Sequence, residues 1–250
     1  MRSILSVIVA LVLSLSVFET PTAWALPPDT PSKSEAQAEL NALTIAAEGS
    51  MDGYSRDKFP HWINQGNGCD TRQVVLKRDA DSYSGDCPVT SGKWYSYYDG
   101  VTVSSPSDID IDHIVPLAEA WRSGANTWTT EKRQAFANDL DGPQLIAVTS
   151  SVNRSKGDQD PSTWQPPRAG AHCAYAKWWI HTKYRWGLTL QSSEKTALQS
   201  MLNTCSYYFA NGKGSRSYAR KDVNLHCNTR CDDKRSRCDQ WRPHVTNYMR

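Results

Sequence analysis

Near the amino terminus the chain has one long apolar run, Ile4–Val17, which follows Arg2. An Ala-x-Ala site, Ala23–Ala25, comes shortly after this run. A basic residue, an apolar segment and small residues in this order are typical of a secretory signal peptide, so we expect residues 1–25 to be removed on export. A membrane anchor is the alternative, but the run has about 14 residues where roughly 20 are needed to span a bilayer.

Beyond this segment, apolar residues recur at helical spacing in five places. Thr129 or Thr130 can cap the start of one helix, and Gly187 favours the end of another. The predicted helices are Glu35–Ala47, Leu117–Gly124, Thr130–Leu140, Ala171–Trp186 and Ser193–Thr204.

Short segments rich in β-branched and aromatic residues predict strands between the helices. Asp99 and Gly100 are a tight-turn signal between two of them. The predicted strands are Gln73–Leu76, Lys93–Tyr98, Val101–Val103, Ile109–Val115 and Gln144–Val148. This mixture of elements predicts an α+β fold with a small antiparallel sheet.

Composition divides the expected mature chain into three parts. Residues 26–53 form a leader and one helix, residues 54–210 form the main domain, and residues 211–250 form an appendage that begins in a Gly- and Ser-containing stretch. The whole chain has a formal net charge of +2 and a pI near 8.1, but Lys213–Arg250 contains ten Lys or Arg against four Asp. Such a basic excess suits a polyanionic partner, although a solvated surface tail has the same composition.

The cysteine content also fits an exported protein. Seven cysteines in an oxidising compartment favour disulfides, and the odd number leaves one unpaired. We expect Cys69–Cys87, which closes a short loop, and Cys173–Cys205, which joins two predicted neighbouring helices. The remaining three have no assigned partners: Cys227, Cys231 and Cys238. A zinc site that joins them to a nearby histidine is the alternative, but their spacing is not the usual Cys-x2-Cys.

Two short polar segments carry candidate chemistry. Asp110 and Asp112 share one face of a predicted strand, and Asp112 and His113 can both border one cleft if Pro116 ends the strand there. The second segment, Asn153–Asp158, carries an amide beside basic residues. Carboxylate and amide oxygens suit Mg²⁺, and histidine suits the proton transfer that phosphodiester hydrolysis needs. The two segments therefore indicate a metal-dependent nuclease.

These segments carry a family resemblance. Asp-Ile-Asp-His-Ile-Val-Pro at 110–116, followed by Asn-Arg-Ser-Lys-Gly-Asp at 153–158, resembles the HNH motif, also called ββα-metal or His-Me finger. The wider context resembles a secreted HNH endonuclease family that is related to the C-terminal domain of the GmrSD restriction enzymes. That context consists of Leu117–Trp121, Phe136–Asp139 and Gly157–Pro161. The resemblance covers roughly residues 54–205 and implies a ββα-metal core surrounded by helices and disulfides.

The resemblance also implies residue roles. His113 would be the general base, and Asp112 and Asn153 would bind one catalytic metal ion. Mg²⁺ is the expected ion, with Mn²⁺ and Ca²⁺ as alternatives. The products would carry 5′-phosphate and 3′-hydroxyl ends. Gln144 stands where many members have Asn, a conservative departure at the amide that would tether the active-site loop.

Four cations are expected to neutralise nucleic-acid phosphates: Arg72, Arg122, Arg154 and Lys156. Asp110 is expected outside the ligand sphere of the metal, either as an acceptor behind it or as a solvated charge. We expect Asp158 and Asp160 to pair with cations or to cap a turn.

Other polar and aromatic residues have competing interpretations. Asn153 begins an N-glycosylation sequon, Asn153–Ser155, and a glycan there would block the proposed site. Tyr97, Tyr98 and Trp121 could stack on bases, but core packing is favoured for them. Structural roles are expected for the five other histidines: His61, His172, His181, His226 and His244.

The sequence thus predicts a secreted, extracellular endonuclease that acts on DNA, with RNA as an alternative substrate. No membrane attachment after signal removal and no obligate protein partner are expected. A secreted non-catalytic binding or effector protein on the same scaffold is the alternative from a different class. The presence of Asp112, His113 and Asn153 together disfavours that alternative, because a pure binding protein does not need all three.

Overall fold

The computed structural model of the protein describes residues 26–206, which form helices and short antiparallel strands. The α-helices in this part of the chain are α1 (Lys33–Ala42), α2 (Thr71–Asp79), α3 (Leu117–Arg122), α4 (Thr130–Ala137), α5 (Ser150–Lys156), α6 (His172–Trp186) and α7 (Ser192–Asn203). The strands are β1 (Asn64–Gly66), β2 (Cys69–Asp70), β3 (Ala80–Ser84), β4 (Ser91–Tyr95), β5 (Thr102–Val103), β6 (Ile109–His113) and β7 (Leu145–Thr149). The expected signal peptide and the basic appendage with its three cysteines lie outside the described residues.

The strands pair into small antiparallel sheets, β1–β2, β3–β4–β5 and β6–β7. In the pair β6–β7, Ile109 lies opposite Thr149 and His113 lies opposite Leu145. The chain between these two strands contains α3 and α4, and α5 begins at the residue after β7. Strands β6 and β7 therefore pair although they are far apart in the sequence, and α5 follows the pair directly.

Strand β7 is buried on both faces, which explains its run of consecutive apolar residues. Leu145 and Ala147 belong to a cluster with residues of α2, β4 and β6. Ile146 and Val148 belong to a larger core that includes residues of α1, α3, α6 and α7. Because side chains alternate along a strand, β7 links the two cores and holds α5 at a fixed position.

The predicted strand Gln73–Leu76 is wrong, because these residues lie in α2. The side chain of Asp70 accepts a hydrogen bond of 2.8 Å from the backbone N–H of Gln73 and caps the helix. Val75 and Leu76 are both fully buried in the smaller core. This cap and this packing outweigh the β propensity of a four-residue segment.

The predicted extension of the first helix to Ala47 is also wrong. Helix α1 ends at Ala42, and Leu43 has an extended conformation. Ala46 donates a backbone hydrogen bond to Leu190, so the segment after α1 pairs with the chain before α7. The remaining predicted helices and strands are present, with ends shifted by at most three residues.

Among residues 26–206 there are two disulfides, Cys69–Cys87 and Cys173–Cys205, the pairs expected from the sequence. The first joins β2 to the loop before β4, and the second joins the start of α6 to the residues after α7. Among the described residues, no helix is long and apolar enough to cross a membrane. The α+β class, the small antiparallel sheets and the disulfides expected from the sequence are thus confirmed.

Candidate active site

The end of β6 and the helix α5 border a polar cleft with a volume of about 180 Å³. Helix α5 lies along β6 in the same direction as the strand, so that Asn153 contacts Asp110 and Lys156 contacts Asp112. The residues that line the cleft are Arg56, Ile111, Asp112, His113, Pro116, Leu117, Asn153, Arg154, Gly157 and Asp158. The structure therefore brings the expected general base and both expected metal ligands to one cleft.

Both oxygens of the Asp112 carboxylate accept a hydrogen bond. The Tyr98 hydroxyl donates to Oδ2 at 2.7 Å, and the Lys156 ammonium donates to Oδ1 at 2.8 Å. Burial raises the pKa of Asp112 above its ordinary value, and the positive charge of Lys156 opposes this shift. Each oxygen still has a lone pair, so the carboxylate is held in position and remains able to bind a cation.

Lys156 is completely buried, unlike most lysines. Its ammonium donates 2.8 Å hydrogen bonds to Asp112 and to the backbone carbonyl of His113. Burial lowers the pKa of Lys156, and the neighbouring Asp112 carboxylate opposes the shift. Lys156 thus holds the end of β6 against α5.

His113 is buried at the end of β6, where its ring lies 5.5 Å from that of Trp62. Its Nε2 is 3.0 Å from the backbone carbonyl of Ala137. A carbonyl oxygen only accepts hydrogen bonds, so Nε2 carries the hydrogen and the lone pair belongs to Nδ1. Burial lowers the pKa of His113 from 6.5 to about 3, and the positive charge of Arg56 contributes in the same direction. The imidazole is therefore neutral at physiological pH.

Asn153 lies in α5 with its amide between Asp110 and the cleft. Its Nδ2 donates a hydrogen bond of 3.1 Å to Asp110, whose other carboxylate oxygen accepts 2.9 Å from the Ser150 hydroxyl. This contact fixes the amide orientation. Within residues 26–206, no group donates a hydrogen bond to Oδ1 of Asn153. Asp110, which does not line the cleft, therefore orients the amide of Asn153, the expected metal ligand.

Gln144 is fully buried just before β7 and tethers the chain that follows β6. Its side-chain amide exchanges two hydrogen bonds with the backbone of Val115, at 3.0 Å and 2.9 Å. Its backbone carbonyl accepts a third, of 2.7 Å, from Ile114. A glutamine thus holds the segment after His113 by the type of contact expected from an asparagine.

Comparison with known proteins identifies the family of this chain. Residues 65–201, more than half of the chain, match the family model of the C-terminal domain of GmrSD restriction endonucleases. The chain belongs to this GmrSD C-terminal-domain family. A protein of Arthroderma benhamiae, described as an uncharacterized secreted protein, is 52% identical over 198 residues, which cover 78% of this chain and 97% of that relative. No solved structure matches the chain.

In this GmrSD-family chain, three of the four cations expected to contact phosphates are bound instead to carbonyl or carboxylate groups of the protein. Arg72 donates to the backbone carbonyls of Pro106 and Ile109, at 3.0 Å and 2.8 Å. Arg122 is paired with carboxylates of two glutamates, and Lys156 is buried against Asp112. Of these four, the exposed Arg154 alone lines the cleft.

The structure also shows what surrounds the acidic and aromatic residues that were singled out in the sequence. Asp160 accepts hydrogen bonds from the backbone and hydroxyl of Ser162 and so caps a turn, whereas Asp158 lines the cleft. Tyr98 and Trp121 are buried in the larger core, and the partly buried Tyr97 packs against it. In this structure Tyr98 and Trp121 are core residues rather than surfaces for bases.

Arg56, His61 and Tyr98 belong to the site and were not assigned to it from the sequence. Tyr98 lies in the turn between β4 and β5, and no local pattern links it to Asp112. Arg56 and His61 precede residue 65, where the GmrSD family match begins. From outside the matched segment, Arg56 lines the cleft and the ring of His61 packs against that of His113.

One further cluster resembles a metal site by composition, since Cys69, Cys87 and Asp86 lie close together. The two sulfurs are joined in a disulfide, so neither is available as a thiolate ligand. The cluster therefore does not compete with the cleft as a candidate metal centre.

Proposed function

We propose that the protein is a secreted, metal-dependent endonuclease that hydrolyses phosphodiester bonds in DNA, with RNA as the alternative substrate. The observation that carries this proposal is the meeting of Asp112, His113 and Asn153 at one polar cleft. Membership of a restriction-endonuclease domain family supports the same class of activity.

The supporting architecture is the arrangement of β6, β7 and α5. Two antiparallel strands followed directly by a helix are what an HNH, or ββα-metal, core requires. His113 ends the first strand, Gln144 precedes the second and Asn153 lies in the helix. The three positions thus correspond to the three residues of the HNH pattern, with Gln replacing the middle Asn.

His113 would act as the general base. Its Nε2–H is held by the Ala137 carbonyl, and no residue among 26–206 donates a hydrogen bond to Nδ1. A neutral imidazole with a free Nδ1 lone pair can take a proton from water as the water attacks phosphorus. The bond to Ala137 would then stabilise the imidazolium that forms, because Nε2–H becomes a stronger donor.

The residues present fit a hard divalent cation. Asp112 and Asn153 offer a carboxylate oxygen with a remaining lone pair and an amide oxygen without a donor, and Mg²⁺ needs few protein ligands. Bound there, Mg²⁺ would supply positive charge for the phosphate and for the departing 3′ oxygen, leaving 5′-phosphate ends. Tyr98 and Lys156 would keep the Asp112 carboxylate in place during binding.

The proposed extracellular location rests on three observations. The A. benhamiae relative is described as secreted, residues 1–25 have the pattern of a signal peptide, and the structure contains disulfides.

The decisive experiment incubates purified protein with duplex DNA, single-stranded DNA and RNA, in Mg²⁺, Mn²⁺ or EDTA. We expect cleavage that needs the metal and is lost in His113→Ala. His172→Ala is a matched control, because His172 is half-buried and does not line the cleft. Absence of cleavage of every nucleic acid with every metal would favour a binding protein. A glycan on Asn153, detected by mass spectrometry, would contradict its assignment as a ligand.

A further inference from the structure

The cleft has two cationic residues in its lining, Arg56 and Arg154. Neither forms an ion pair with a carboxylate among residues 26–206. By contrast, Lys156 and Arg122 near the cleft each have a carboxylate partner within 4 Å. An ion-paired cation has little net charge left for a substrate phosphate. The cations without a carboxylate partner are therefore the better candidates for binding a phosphate.

Arg56 is positioned by a neutral group. It lies in a short 3-10 helix capped by the Ser55 side chain, and its Nε donates a long hydrogen bond of 3.4 Å to Nε2 of His61. The Nδ1 of His61 lies 2.8 Å from the carbonyl of Phe59 and therefore carries the hydrogen. His61 thus accepts from Arg56 as a neutral imidazole and leaves the guanidinium charge uncompensated.

His61 also connects Arg56 to the proposed general base. Its ring contacts the ring of His113 edge-on, with 6.4 Å between the ring centres. Arg56 itself is exposed and lines the same cleft as Asp112 and Asn153. A guanidinium here can donate two parallel hydrogen bonds to a phosphate that enters the cleft.

We propose that Arg56 is a phosphate-binding residue of this site and that His61 is the residue that positions it. The inference rests on the proposed nuclease function, because the bound anion is a backbone phosphate of the nucleic-acid substrate. It extends the site to residues 55–61, which lie before the family match at residue 65. Asp158 also lines the cleft, and its negative charge disfavours a phosphate close to its carboxylate.

Binding without cleavage tests this proposal. All variants carry His113→Ala, and fluorescence anisotropy measures their affinity for a labelled DNA or RNA strand at several salt concentrations, with Ca²⁺ present. We expect Arg56→Gln to bind about tenfold more weakly. The slope of log affinity against log salt should become shallower by about one, because one phosphate contact is lost.

Two further variants separate charge from fold. Arg56→Lys keeps the charge, so its salt slope should match the parent while the affinity falls, because the bidentate contact is lost. Lys93→Gln removes one charge from an exposed residue of β4 outside the cleft and should leave both quantities unchanged.

The outcomes distinguish the two proposals. If the His113→Ala parent binds no nucleic acid, the nuclease proposal fails, and the assignment of Arg56 fails with it. If the parent binds and Arg56→Gln has the parental affinity and slope, the assignment of Arg56 alone is overturned.

Discussion

The burial of a neutral His113 makes the stability of the fold depend on pH. Burial lowers the pKa of His113 from 6.5 to about 3 in the folded protein, whereas in the unfolded chain the pKa is near its ordinary value. Between these two values the unfolded chain binds a proton that the folded protein does not bind. The free energy of unfolding therefore falls as the pH falls from 6.5 towards 3.

The size of the effect follows from the two pKa values. At pH 8 the histidine is neutral in both states and contributes nothing to the pH dependence. At pH 5 the unfolded state gains about 2 kcal/mol from protonation at this position, while the folded state gains almost none. We expect the protein to lose this amount between pH 8 and pH 5 in addition to the contributions of its other groups.

Urea denaturation at pH 8 and pH 5, with the disulfides intact, measures the loss for the parent and for His113→Gln. The glutamine amide can still donate to the Ala137 carbonyl but cannot titrate, so the contributions of all other groups cancel in the difference. We expect the parent to lose about 2 kcal/mol more than the variant. Equal losses would refute the reasoning, because they would mean that His113 titrates alike in both states.

Three other changes test the contacts around Asp112 and the helix pair behind it. Tyr98→Phe removes the donor to Oδ2 of Asp112 and should weaken Mn²⁺ binding, measured by calorimetry, about 10- to 100-fold; unchanged affinity would argue against a positioning role. Lys156→Met leaves the buried carboxylate unpaired and should lower the free energy of unfolding at pH 8 by about 3–5 kcal/mol, with a smaller loss at acidic pH, where the carboxylate is protonated; an equal loss at both pH values would contradict the pairing. Replacing both cysteines of the Cys173–Cys205 bridge by serine opens a loop with a sequence separation of 32 residues and should cost about 3–4 kcal/mol in urea denaturation; a smaller loss would mean that the packing of α6 on α7 dominates.

Elements with strong local signals were predictable from the sequence. The long helices α6 and α7 have apolar residues at helical spacing, and β7 is a buried apolar run, so each is present close to its predicted bounds. Helix α2 was missed because its short apolar part resembles a strand. Its start depends on the Asp70 side chain, and its position depends on packing against β7.

The site was predictable only where its residues lie in the two motif segments. Asp112, His113 and Asn153 have a recognisable order and spacing, but the contacts that hold them come from elsewhere. Tyr98 reaches Asp112 only through tertiary folding. The burial of the Lys156 ammonium was not predictable either, since lysine is usually exposed.

The proposed role of His113 is to remove a proton from water in a metal-dependent hydrolysis of nucleic acid. Its most direct test is the single-turnover cleavage rate of His113→Gly in Mg²⁺, with and without added imidazole. We expect the variant to be at least about 100-fold slower than the parent, and imidazole to restore part of the rate. Cleavage by His113→Gly at the parental rate without imidazole would contradict the account.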